Sequence, residues 1–151
     1  LAATPIIVSD LGGQSLEYNA ATNAGHFQSA SGSMAMTGNL TLIVPGVGDD
    51  HKWNIDIQGP FETAANSNVV FEVEGSGTVI DYNHADYATL AAGVTWNIKG
   101  AIVLGATSIV AGSMKTPSGA ITVAANSVVT GDLETVLGAI TLEGDATSGG
   151  L

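Results

Sequence analysis

The residues able to do chemistry in this chain are few: His26, His51 and His84, the run Asp49-Asp50-His51, the acidic set Glu72, Glu74, Asp81 and Asp86, and the tryptophans Trp53 and Trp96. Catalysis needs a nucleophile beside a base, a pair of carboxylates, or a metal. The three histidines are widely separated and fall in segments that read as loops, where a solvated imidazole is the ordinary state. Asp49-Asp50-His51 is the best cation-binding run, yet without further carboxylates at a defined spacing it reads as a solvated turn. The four other acids read as a wet acidic face. Gly46-Val47-Gly48 and Gly75-Ser76-Gly77 lack the following helix that would aim amides at a phosphate. Each tryptophan begins an alternating apolar strand and reads as core, and Asn39-Leu40-Thr41 fits the glycan-acceptor pattern. No catalytic, cofactor-binding or metal-binding residue is assigned, no cofactor is expected, and the chain does not read as an enzyme.

What remains is chemistry spread over a surface, and a repeat supplies it. GAIVLGATSIVAG at 100–112 is followed by GAITVAANSVVTG at 119–131 and GAITLEGDATSGG at 138–150. Gly100, Gly119 and Gly138 keep a spacing of 19 residues, as do Ile102, Ile121 and Ile140. A unit this short cannot close a core alone, so each copy must hide its apolar row against the next, which is the logic of a solenoid. Strand alternation turns 102 and 104 inward and 103 outward. Val103, Thr122 and Thr141 then form an outward column, Ala106 and Ala125 a second one, and Lys115 and Glu134 an oppositely charged pair on neighbouring coils.

Further strands are expected at Ile6–Val8, Leu40–Val44, Trp53–Ile57, Val69–Val73, Thr78–Ile80 and Val94–Ile98, from β-branched and aromatic runs bounded by turn residues. Ala85–Ala92 has the Ala and Leu content for a turn or two of helix. Ala64-Ala65-Asn66-Ser67 echoes Ala124-Ala125-Asn126-Ser127, and Trp53-Asn54-Ile55 echoes Trp96-Asn97-Ile98, so coils are expected well before residue 100, with excursions at 18–35, 45–52 and 81–93. The expectation is an all-β solenoid of about 19-residue coils with little or no helix, one domain over 1–151, most regular over 100–150.

Composition narrows the partners. Three basic residues, Lys52, Lys99 and Lys115, face 14 acidic ones for a net charge of -11, which disfavours nucleic acid and anionic lipid. The absence of cysteine rules out disulfides and thiolate metal sites. No apolar run is long enough to span a membrane.

Asp10-Leu11-Gly12-Gly13-Gln14-Ser15-Leu16, Gly25-His26-Phe27, Thr37-Gly38-Asn39-Leu40-Thr41-Leu42, Trp53 with Ile55 and Ile57, Val94-Thr95-Trp96 and Gly138-Ala139-Ile140-Thr141-Leu142 occur in an order that resembles the microbial ice-binding-like β-solenoid family. The resemblance implies a triangular β-helix of discontinuous coils with a long α-helix along one side; some members adsorb to ice. Asp132 departs from the basic residue often found there. Only nine residues precede the Asp-Leu-Gly-Gly segment, so the family's N-terminal half, with its cap and helix, is expected to be missing. An uncovered end and side would recruit neighbours, and Pro5-Ile6-Ile7-Val8 is expected to act as a donated strand. The leading expectation is a secreted, self-assembling subunit of an extracellular filament, with copies of itself as partners. The alternatives are an ice-binding protein using the 103, 122, 141 column, or an adhesin module at a cell surface.

Overall fold

The computed structural model describes residues 4–6, 10–17, 24–29, 32–47 and 51–150. Short strands wind through three faces in a fixed order. The first turn holds β1 (Thr4–Ile6) and β2 (Ser15–Glu17); the second β3 (Ala24–Ser29), β4 (Met34–Met36) and β5 (Leu40–Val44); the third β6 (Lys52–Ile57), β7 (Phe61–Thr63) and β8 (Val69–Val73). A hairpin strand β9 (Val79–Ile80) and helix α1 (Tyr87–Ala91) then leave the coil. It resumes with β10 (Val94–Ile98), β11 (Ile102–Leu104) and β12 (Ile109–Val110), continues through β13 (Ser113–Thr116), β14 (Ile121–Val123) and the long β15 (Val128–Thr135), and closes with β16 (Ile140–Leu142) and β17 (Thr147–Gly150). The first face stacks β1-β3-β6-β10-β13-β15 and the second β4-β7-β11-β14-β16. The third stacks β2-β5-β8 and, through a bridge from Asn68 to Ile109, β12, the start of β15 and β17. All these pairings are parallel; β8 with β9 is antiparallel.

Alternation within each strand fills the core. In β10, Val94, Trp96 and Ile98 are buried while Thr95 and Asn97 are partly exposed. Stacking then puts like on like: Ile55, Trp96, Met114 and Leu133 form one inward column, and Phe61, Ile102, Ile121 and Ile140 another. Burying each such side chain is favourable by about 1.5–3 kcal/mol. The Trp96 indole N–H donates to the Ala111 carbonyl at 2.9 Å, and the Phe61 and Trp96 rings lie 5.2 Å apart.

The coils turn at corners that need particular residues. Asn66, Thr107 and Asn126 adopt left-handed φ of 62°, 60° and 63°, which Asn tolerates better than most residues. The next residues, Ser67, Ser108 and Ser127, are fully buried and reach back one turn. Ser127 Oγ donates to the Gly105 carbonyl at 2.8 Å and accepts the Ser108 N–H at 3.0 Å; Ser108 Oγ donates to the Ala64 carbonyl, and Ser67 Oγ accepts the Gly38 N–H. At another corner, a Cβ on Gly138 would lie 2.0 Å from the Gly119 carbonyl oxygen, which explains the glycine in each repeat.

The coils do begin before residue 100, and the Ala-Asn-Ser echo marks equivalent corners. The tryptophan echo is two residues out of register: Trp53 lies opposite Val94, and Ile55 opposite Trp96. A shift of two keeps both indoles inward. Residues 24–29 and 34–35, expected in the 18–35 excursion, belong to strands β3 and β4; their Gly, Ala, Gln and Met carry little β signal, and pairing with β6 and β7 supplies the order. Phe61–Thr63 was likewise too short to stand out. Gly75 and Gly77, at φ of 84° and 71°, belong to the β8–β9 hairpin. Helix α1 stands within Ala85–Ala92, where Tyr87, Leu90 and Ala91 face the core; burial, reinforced by the Asp81 charge, pushes the Tyr87 phenol far above its ordinary pKa, and its hydroxyl donates to the Val69 carbonyl. Among the described residues the coils stack in chain order, unlike the discontinuous order implied by the resemblance, and α1 is the helix present.

Ser127→Ala removes two inter-turn hydrogen bonds at a buried site and is expected to lower unfolding free energy in urea by about 1–3 kcal/mol. Gly138→Ala, which drives a methyl into a backbone oxygen, should lower the thermal midpoint as well. A Gly138→Ala protein as stable as the parent would show that this corner can yield to a methyl group.

Candidate functional site

The second face is the most regular surface. Its five strands each place one central side chain outward, giving Ala35, Glu62, Val103, Thr122 and Thr141 in one register. The residues on either side, Met34 and Met36 through Ile121 and Val123, are buried. The ladder continues past both strand ends. Phe61, Ile102 and Ile121 donate their N–H groups to the carbonyls of Ala101, Ala120 and Ala139, and Gly105, Ala124 and Glu143 donate to those of Thr63, Leu104 and Val123. Two flanking columns therefore run beside the central one: Pro60, Ala101, Ala120, Ala139, and Ala64, Gly105, Ala124, Glu143.

From β11 to β16 the outward positions 101, 103, 105, 120, 122, 124, 139 and 141 hold Ala, Val, Gly and Thr without a charge. Glu62 and Glu143 mark the margins. The columns repeat at about 4.8 Å across strands and roughly 6.7 Å along them. Strands β7, β11 and β14 are hydrogen-bonded on both sides, so this grid is held by backbone rather than by side-chain rotamers.

The N-terminal edge of the face is pinned electrostatically. Asp10 bridges Ala35, accepts the N–H of Gly12 at 2.8 Å and of Thr37 at 2.9 Å, and takes a short hydrogen bond from the Thr37 hydroxyl. That hydroxyl, with the two N–H donors, holds the Asp10 carboxyl below its ordinary pKa.

The other sequence-derived residues stand apart. Val103, Thr122 and Thr141 share the column described above, whereas Ala106 and Ala125 lie at the adjoining corner. Lys115 is directly opposite Glu134 on the first face. Pro5 and Ile6 sit in β1, paired with Gln28 and Ser29 of the same chain, while Ile7 and Val8 lie outside the described residues. Asp49 and Asp50 also lie outside them. His26 is on strand β3, not in a loop. His51 is buried, with Nε2 3.1 Å from the Gly46 carbonyl, so it is not a solvated loop residue. His84 occupies an exposed turn and accepts the Asp86 N–H. Asn39 is exposed, and its Oδ1 accepts the Asn68 N–H. Among the described residues no group of three potential metal ligands comes together. The flanking alanine columns are not among the sequence-derived residues, although the recurring Gly-Ala-Ile carries Ala101, Ala120 and Ala139 openly.

No protein family and no curated protein matches the sequence. Solved structures do match the fold. The DUF3494 domain of a Shewanella frigidimarina ice-binding protein superposes with a TM-score of 0.71 at 21% identity, over 97% of this chain and 53% of that one. An ice-binding protein from the Antarctic ascomycete Antarctomyces psychrotrophicus gives 0.68 at 18% identity, over 97% and 60%. One from an Antarctic Flavobacteriaceae bacterium gives 0.68 at 23% identity, over 97% and 29%. This chain has the β-solenoid fold of those ice-binding proteins and spans about a third to three fifths of their length.

Because the Asp10 pKa is depressed by folding, its contribution to stability is complete above the unfolded value near 3.9 and is lost as pH falls through the folded value. The stability difference between the parent and Asp10→Asn, measured by urea unfolding, is expected to shrink between pH 6 and pH 3. A constant difference would mean that the Thr37 contact does not select the ionised carboxyl.

Proposed function

We propose that this chain binds ice through the outward second face between β11 and β16. The carrying observation is the block of small uncharged side chains at 101–105, 120–124 and 139–141, held in one hydrogen-bonded register. Support comes also from the fold neighbours, each of which is named an ice-binding protein.

The physics suits the surface. Ice presents a periodic lattice, and a charged or long polar side chain holds water in orientations that the lattice lacks and is costly to dehydrate. Methyl groups of Ala, Val and Thr order the adjacent water without binding it strongly, and the Thr122 and Thr141 hydroxyls offer hydrogen bonds at backbone-fixed positions. A rigid grid loses little conformational entropy on adsorption. Ice grows outside the cell, so this reading places the protein there, as a non-enzymatic binding protein.

Self-assembly into a filament gains less support. It needs a broad apolar face, and the exposed large apolar residues among those described are Val47, Val79, Tyr82, Val103, Val136 and Leu137, mostly scattered over turns and edges. Outward positions of the first face carry Asn54, Asp56, Thr95, Asn97, Lys115 and Glu134 instead.

Thermal hysteresis and ice-crystal shaping test the proposal. The parent is expected to show both; Val103→Lys and Thr122→Lys should abolish them with an unchanged circular dichroism spectrum, while Thr95→Lys on the first face should not. Absence of both effects in the parent, or their survival in Thr122→Lys, would overturn it.

A further inference from the structure

The first face holds a groove of about 450 Å³ that the ice-binding reading does not use. Its floor is a grid built by strand register. One row crosses four strands as Asp56, Asn97, Lys115 and Glu134, each directly opposite the next. Just past the ends of these strands the lining continues with Gln58, Lys99, Pro117 and Val136.

The charge pattern is unlike the rest of the molecule. The chain has three cations among 14 acids, and two of the three, Lys99 and Lys115, line this groove. Both are exposed. Neither takes part in an ion pair or side-chain hydrogen bond among the described residues, although Glu134 is the cross-strand neighbour of Lys115. Carboxylates stand at the two ends of the row, and the Asn97 amide donates to Asp56 Oδ1 at 2.8 Å. Val136, 70% exposed, and Pro117 add an apolar lip at one end.

We infer that this groove binds a short acidic oligosaccharide, one with a single uronic-acid carboxylate among hydroxyls. The two ammonium groups in the middle complement a sugar carboxylate. Glu134 at one end accepts from hydroxyl groups, and the Asn97 amide, with a second N–H and a carbonyl oxygen, both donates and accepts, the pairing that vicinal hydroxyls require. Ring C–H faces rest on Val136 and Pro117. Four strands at about 4.8 Å spacing give a floor of roughly 14 Å, long enough for a short run of sugar rings. A volume of about 450 Å³ lies within the usual range for small-ligand sites. Densely charged polyanions fit poorly, since they would meet the two end carboxylates and a net charge of -11. At physiological salt the long-range repulsion is screened beyond about 8 Å, so the local lysines decide.

The site is on a different face from the ice grid, so its test is independent of that reading. Titration of the whole chain with a xylotriose bearing one glucuronic acid, followed by amide chemical shifts and calorimetry, is expected to show binding with shifts confined to β6, β10, β13 and the end of β15. Lys115→Gln and Lys99→Gln should each weaken it at least tenfold, with unchanged circular dichroism, and Thr122→Lys should leave it unaltered. Affinity should fall as salt rises. No binding, shifts outside the first face, or equal affinity in Lys115→Gln would overturn the inference. So would equal affinity for neutral maltotriose, or for inorganic sulfate, which would reveal a nonspecific sugar surface or a simple anion site.

Discussion

The structure depends on one constraint: in a parallel solenoid the backbone groups of each strand are satisfied by the turns before and after it. Parallel pairing fixes register, and register fixes which side chains stack. Ile102 must lie on Ile121 and Ile140, and Val103 on Thr122 and Thr141. Buried Ser67, Ser108 and Ser127 tie the same corner turn after turn. An error of one residue would turn every inward side chain outward, so the corners are where the sequence has least freedom. Gly138 against the Gly119 carbonyl shows how little space is left.

That constraint explains what was legible. The regular coils repeat every 19 residues, so the inward columns and the outward 103, 122, 141 column follow from alignment of the sequence with itself. Strands such as Leu40–Val44 and Val94–Ile98 also announce themselves, being long, β-branched and alternating. Strands β3 and β4 do not, because AGHFQS and MAM have no such pattern and are ordered by their neighbours. The tryptophan echo misled by two residues, since Trp-Asn-Ile has the same inward-outward alternation in either register.

The two candidate surfaces differ in legibility for the same reason. Across the second face the uncharged block lies in consecutive repeats, so its outline was visible. On the first face, Asp56 and Asn97 are neighbours 41 residues apart, with a hairpin and a helix between them. No repeat bridges that interval. Lys115 and Glu134 were readable as a pair, but the row they complete with Asn97 and Asp56 was not.

Distribution of charge argues that the faces are specialised. Acidic residues are abundant, yet the block from 101 to 105, 120 to 124 and 139 to 141 contains none, while Glu62 and Glu143 border it. Solubility would be served as well by carboxylates placed there. Small size and neutrality together have a different physical consequence: they keep the outer surface close to the backbone lattice, so its periodicity is that of the hydrogen-bonded strands. On the first face the side chains are longer and charged, and the surface there is set by rotamers and hydrogen bonds such as Asn97 to Asp56. A single coil thus carries one surface whose order comes from the backbone and another whose shape comes from side chains.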